Sequence, residues 1–228
     1  MKKFYLMTLA LIIMGAATAS AQKTAVKPAK EAQQVGWVNL ITNGNLEGTD
    51  NSCFFTKVNV GDLAGEVVNS TIEDGVGVNG TCGIKVAAGD KVDNPWDNQF
   101  WFRFTETVPA GTKYRVKFDY RADEDATIGT QAHAEPSDYI HYEMLGNIDF
   151  FSDWNSFELE GEVSSSQAGP NDRGGLFQSI AFNLNDDTHP EANSYYFDNI
   201  VFEIYRVGTE VHFAQDATKN IKVFLREE

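Results

Sequence analysis

The chain has 228 residues, 42% hydrophobic and 12% aromatic, with 33 acidic against 18 basic side chains and a net charge of −15. Scattered Lys and Arg in an acidic background exclude nucleic acid and anionic membrane as partners, because both demand a clustered basic surface, whereas a neutral polysaccharide meets no such penalty. Four histidines without HExxH spacing, two cysteines without a CxxC pattern and no GxSxG elbow argue against a catalytic zinc, a redox pair and a serine hydrolase.

Lys2 and Lys3, the apolar run from Phe4 to Ala17 and the small residues Ala19-Ser20-Ala21 have the order of a secretory signal. They predict a signal peptide over 1–21, export to the periplasm or the extracellular space, and a mature chain from Gln22. No later segment has the roughly 20 apolar residues of a membrane helix. Residues 22–36 are rich in Ala, Lys and Gln without periodicity and read as a flexible leader. Residues 37–206 have the length of one all-β domain.

Within that domain the predicted strands are short and separated by Gly, Asn, Asp and Pro clusters: Val38 to Ile41, Glu66 to Ile72, Gly83 to Ala87 and Phe100 to Thr105. They continue at Lys113 to Arg121, Ala126 to His133, Asp138 to Leu145, Ser156 to Val163, Ser179 to Leu184 and Tyr195 to Tyr205. Such a series predicts two packed antiparallel sheets, a β-sandwich or jelly roll. Strict alternation sends Phe100, Phe102 and Phe104 to the core and Gln99, Trp101 and Arg103 to the other face. Tyr114, Val116, Phe118 and Tyr120 form a second inward row, and Ile180, Phe182 and Leu184 a third, with Ser179, Ala181, Asn183 and Asn185 outward. Residues 207–228 carry weak alternation at Val211 to Phe213 and Ile221 to Leu225, giving an edge strand, a hairpin or a disordered tail. Cys53 and Cys82, an even count in an exported chain, are expected to pair, which for a loop of this length contributes about 3 to 4 kcal/mol.

Three segments in order suggest a family. Asn39-Leu40-Ile41-Thr42-Asn43-Gly44-Asn45-Leu46-Glu47, Trp96-Asp97-Asn98-Gln99 and Tyr195-Tyr196-Phe197-Asp198-Asn199-Ile200 resemble the successive signatures of carbohydrate-binding modules of the group joining families four, nine and twenty-two. These are jelly-roll modules associated with xylanases and other glycan hydrolases. Gly111 to Asp119 and Trp154-Asn155-Ser156-Phe157 fall in the same order between them, so the resemblance covers Val38 to Tyr205.

The resemblance implies a structural calcium shared by the first and last strands, with Glu47 and Asp198 as side-chain ligands beside backbone oxygens. Without the family, the same two residues are ordinary turn and edge carboxylates. It also implies a ligand cleft across the concave sheet. A sugar site needs an apolar platform for the C–H face of a pyranose ring beside directional donors and acceptors for its hydroxyls. Trp101 is the expected platform with Gln99 beside it, and the outward residues Arg121, Gln131, His141 and Asn183 are candidates to line the cleft. Trp96 and Trp154 read as packing residues, and Arg103 suits either the cleft or an ion pair with the acidic surface.

Glu158, Glu160 and Glu162 alternate on one strand in the manner of a solvated face, and no pair of acids is marked out for glycoside hydrolysis. The expectation is therefore a non-catalytic module binding a plant-type β-glycan such as xylan, beside a glycan-degrading enzyme. Two rivals stay open: a structural or adhesive sandwich with no sugar site, which burial of Trp101 and Gln99 favours, and a glycan hydrolase or lyase.

Overall fold

The computed structural model describes residues 35–57, 65–89, 94–165, 176–184 and 192–208, and the backbone of 211–215 and 221–225; the side chains of 141–143 lie outside the described residues. The expected signal segment, and the leader up to residue 34, also lie outside them. In chain order the strands are β1 (Gly36–Asn39), β2 (Phe54–Lys57), β3 (Val67–Asn69), β4 (Ile72–Glu73), β5 (Gly83–Ala88), β6 (Gln99–Arg103) and β7 (Lys113–Ala122). They continue with β8 (Ala126–His133), β9 (Tyr139–Phe150), β10 (Asn155–Glu162), β11 (Ser179–Asn183), β12 (Asn193–Arg206), β13 (Val211–Gln215) and β14 (Ile221–Leu225).

Twelve of these strands make two six-stranded sheets. The first has the order β10-β7-β12-β5-β4, with β1 sharing one side of β12 with β5; the second has the order β3-β2-β6-β11-β8-β9. The pairings are antiparallel, and the fold is an all-β sandwich of the jelly-roll kind. β13 and β14 pair with each other as a hairpin.

The alternation read from the sequence fills the space between the sheets. Phe100, Phe102 and Phe104 of the second sheet and its continuation are fully buried, as are Phe118, Phe197 and Phe202 of the first. Phe100 meets Phe197 with ring centroids 4.4 Å apart, Phe102 meets Phe118 at 5.4 Å, and Phe104 stacks on Phe202 at 3.9 Å. Offset and edge contacts of this kind add to the area term that dominates such a core. Glu158, Glu160 and Glu162 are exposed along β10, as a solvated strand face requires.

Four features depart from the sequence reading. β2 was not anticipated, because only four residues follow Cys53 before the chain leaves the sheet. The segment Glu66 to Ile72 is two strands, β3 in the second sheet and β4 in the first, with buried Ser70 between them bonded to Thr56 at 2.6 Å. Trp96 sits in a 3-10 turn and is 50% exposed rather than packed. The expected disulfide is absent: Cys53 and Cys82 are both free. Cys53 leads into β2 with its thiol 3.2 Å from Thr42 Oγ1, whereas Cys82 leads into β5 of the other sheet, where its N–H donates to Glu47.

Candidate functional site

The outer face of the second sheet gathers most of the expected residues, and the register places them in three rows. Gln99 of β6, Asn183 of β11, Gly129 of β8 and Asn147 of β9 lie abreast. Beside them run Phe55, Trp101, Ala181, Gln131 and Glu143, and then Arg103, Ser179, His133 and Tyr139. The middle strand β11 contributes only short side chains or an amide, so the face is low along its centre.

Gln99 Nε2 donates to Asn183 Oδ1 at 2.8 Å, fixing both amides in one plane of contact. Gly129 leaves the next position open: a Cβ there would stand 3.6 Å from Asn147 Oδ1 and 4.0 Å from Asn183 Nδ2. The gap at Gly129 leaves a shallow trough edged with amides, in which Gly129 is half-buried while Ala181, Asn183 and Gln99 are buried. Gln131 is half-buried and Asn147 exposed, so the trough opens to solvent along β8 and β9.

Trp101 is not the open platform expected of it. Its relative exposure is 0% and that of Gln99 is 5%. In register the indole stands between Phe55 on β2 and Ala181 on β11, and the His133 ring lies 6.1 Å from it between centroids. His133, itself 1% exposed, meets Tyr139 on its other side at 5.4 Å. Burial holds the His133 imidazole down at about 4, so the ring is neutral near pH 7. Trp101 Nε1 and His133 Nδ1 are buried without a hydrogen-bond partner.

Arg103 closes this end of the face. Its Nε and Nη2 donate to the two carboxylate oxygens of Glu135 at 2.5 and 3.0 Å, the doubly bonded geometry a guanidinium prefers. The ion pair settles Arg103 as a partner of the acidic surface.

Arg121 is a correction. It belongs to β7 of the first sheet, where its guanidinium stacks 3.6 Å above the Tyr196 ring, lies 5.7 Å from that of Trp154 and pairs with Asp123 at 3.4 Å. The Lys113 to Arg121 alternation is as read; which sheet owns that outward face is not encoded in it. His141 lies in β9 at the register shift between the partners of Ala132 and His133, and its side chain is outside the described residues. Asn147 and Phe55 were missed. The expected strand ends at Leu145, and Asn147 lies beyond it, past the irregularity at Gly146, φ 78, where β9 carries extra residues between the partners of Gly129 and Gln131; Phe55 belongs to the strand not anticipated.

Glu47 and Asp198 do meet on one turn. Glu47 accepts from Cys82 N–H at 3.1 Å, while Asp198 Oδ2 accepts from Val78 N–H at 2.9 Å and Thr81 Oγ1 at 3.1 Å, and Oδ1 from Asn199 N–H at 2.6 Å. Burial first of all raises the Asp198 carboxyl above its ordinary value. The described residues contain no group of three or more His, Cys, Asp or Glu arranged to hold a metal, so two carboxylates and backbone carbonyls are what the turn offers a hard cation.

Two clefts also open on the first sheet. One, about 430 Å³, is lined by Arg115, Lys117, Glu158 and Glu203, which are already joined as Arg115–Glu203 and Lys117–Glu158 ion pairs. The other, about 550 Å³, is lined by Asn39, Asn43, Asn45, Asp119 and Asn199. No helix among the described residues is long and apolar enough to cross a membrane.

No protein-family model and no curated protein matches the sequence. Among solved structures the chain is similar to carbohydrate-binding modules. The N-terminal cellulose-binding domain of Cellulomonas fimi β-1,4-glucanase C matches at 14% identity and a TM-score of 0.48, over 73% of this chain and 97% of that one. The CBM22-1–GH10 modules of Clostridium thermocellum endo-1,4-β-D-xylanase 10B, complexed with xylohexaose, match at 10% identity and a TM-score of 0.47, over 73% of this chain and 28% of that one. The enzymatically active domain of bacteriophage CBA120 tailspike protein 4 also matches, at 12% and 0.47, over 73% of this chain and 21% of that one.

Proposed function

We propose that the protein binds a neutral polysaccharide, non-catalytically, along the trough on the outer face of the second sheet. The observation that carries this reading is the row Gln99–Asn183–Gly129–Asn147, amides held in register across four strands with a glycine gap between them. Amides both donate and accept, as equatorial hydroxyls do, and strands hold them more rigidly than loops can. A β-1,4-glycan such as xylan, extended and without charge, suits a shallow trough in an acidic protein. A glycan-degrading enzyme acting on the same polymer is the partner this reading implies.

Calorimetry or affinity electrophoresis against xylan, cellulose-derived and galactan oligosaccharides tests it. Asn183→Ala should weaken the bound glycan at least tenfold while the melting temperature stays within a few degrees. No retardation by any of the glycans would sink the proposal.

The second reading, a structural or adhesive sandwich, is favoured by one observation: Trp101 and Gln99 are both buried. Under it, wild type and Asn183→Ala behave alike toward every glycan.

We also propose that Glu47 and Asp198 serve a structural calcium, supported by the convergence of two carboxylates from distant parts of the chain on the turn 78–82. Removal of calcium by EDTA from metal-loaded protein should then lower the melting temperature by several degrees. An unchanged melting temperature leaves Asp198 as a purely hydrogen-bonded anchor of that turn.

A further inference from the structure

Two buried nitrogen atoms on the trough face have unspent hydrogen-bonding capacity, and their roles are complementary. An indole N–H can only donate, so Trp101 Nε1 lacks an acceptor. In His133 the other ring nitrogen, Nε2, faces Gln131 Oε1 at 3.5 Å. With the ring proton on Nε2, where Gln131 Oε1 can accept it, Nδ1 is a bare acceptor without a donor; that tautomer is part of the inference below. A sandwich built for packing alone would place Phe at both positions and leave nothing unsatisfied.

An ion pair spans the row next to Trp101. Arg103, Ser179 and His133 stand abreast on β6, β11 and β8, and Glu135 follows His133 by two residues. To reach Glu135, the Arg103 guanidinium must cross β11, a span of two strand spacings or about 10 Å. It passes over Ser179, which is fully buried and short enough to lie under it, its hydroxyl turned to Phe102 O at 3.0 Å.

We infer that Trp101 and His133 form a closed pocket that recognises a single hydroxyl group of the bound glycan, and that the Arg103–Glu135 ion pair parts to admit it. The hydroxyl oxygen accepts from Trp101 Nε1–H and its proton is donated to His133 Nδ1, so both unspent groups are used by one ligand group. The inference rests on the glycan reading above and gives Trp101 a different role in it: recognition by its N–H edge in place of stacking by its face. A sugar with a hydrogen in place of that hydroxyl is excluded, because the pocket would keep two unpaired polar atoms.

The test follows the indole N–H signal of Trp101 by nitrogen-15 NMR, assigned with Trp101→Phe, as xylohexaose and cellohexaose are added to the full chain. The oligosaccharide that binds should shift this signal and slow its hydrogen exchange at least tenfold. His133→Phe, which fills the same space without an acceptor, should weaken that binding at least tenfold. Glu135→Gln, a surface change that loosens the ion pair, should speed association threefold or more and keeps the inference testable even if His133→Phe does not fold. Binding that leaves the indole signal unmoved, with Glu135→Gln indistinguishable from wild type, overturns the pocket and leaves the glycan reading standing. An indole already protected in the free protein and unchanged by ligand marks a trapped water, which also overturns it. Failure of every oligosaccharide to bind removes both proposals, and the titration of wild type alone reveals that case.

Discussion

His133 is held neutral because charging its ring behind Trp101, Tyr139 and Ser179 would place a cation where water does not reach. The folded ring protonates at about 4, against about 6.5 in an unfolded chain. Between those values the unfolded state binds the proton and the folded state does not, so acid favours unfolding. The contribution is complete above about 6.5 and is lost as the pH falls towards about 4, by up to about 3 kcal/mol. Urea denaturation at pH 7.5 and 4.5 should show this loss in wild type and a clearly smaller one in His133→Phe, with Arg103, Glu135 and Tyr139, the titratable groups around the ring, unchanged in both. Equal losses would place the acid sensitivity elsewhere. At this scale the sequence is informative about parity and silent about cover. Phe100, Phe102 and Phe104 are where alternation puts them, and so is Trp101, on the outward side. The ring packed against its indole is that of His133, far away in the chain, and no local pattern announces such a neighbour.

Among the elements, the loop after β1 and the strand β12 are joined more tightly than strand pairing alone would make them. Ile200 N–H donates to Gly44 O at 2.7 Å, and a Cβ on Gly44 would stand 1.8 Å from Ile200 O. No flexible side chain can yield there, since both sides of the contact are backbone. Gly44→Ala should therefore cost more than about 2 kcal/mol, read as a shift in the denaturation midpoint, whereas Gly111→Ala, with open space around it but φ 79, should cost only its backbone strain of about 1 kcal/mol. The Asn43-Gly44-Asn45 segment stood out in the sequence only through a resemblance, and its physical role here is the backbone contact with Ile200. Strands with long, regular alternation, β7, β8 and β10, were legible nearly to their ends. β2, β3 and β4 were not, because strands of two to four residues are too short for a period to declare itself. In β9 the irregularity at Gly146 interrupts the alternation just beyond Leu145, and Asn147, which edges the trough, lies past it.

Over the whole molecule, net charge and strand count pointed to a neutral ligand and a sandwich, and the two sheets are as expected. The assignment of residues to sheets had to come from the structure, since an outward row on β7 and one on β6 read alike until pairing separates them, as Arg121 shows. The pairing of β1 with β12 sets Gly36 opposite Arg206. The backbone thus joins and leaves the sandwich at neighbouring points on the first sheet, behind the trough carried by the second. Under the proposed glycan reading, the chain segments on either side of these points start from the sheet opposite the bound polymer and leave its face unobstructed.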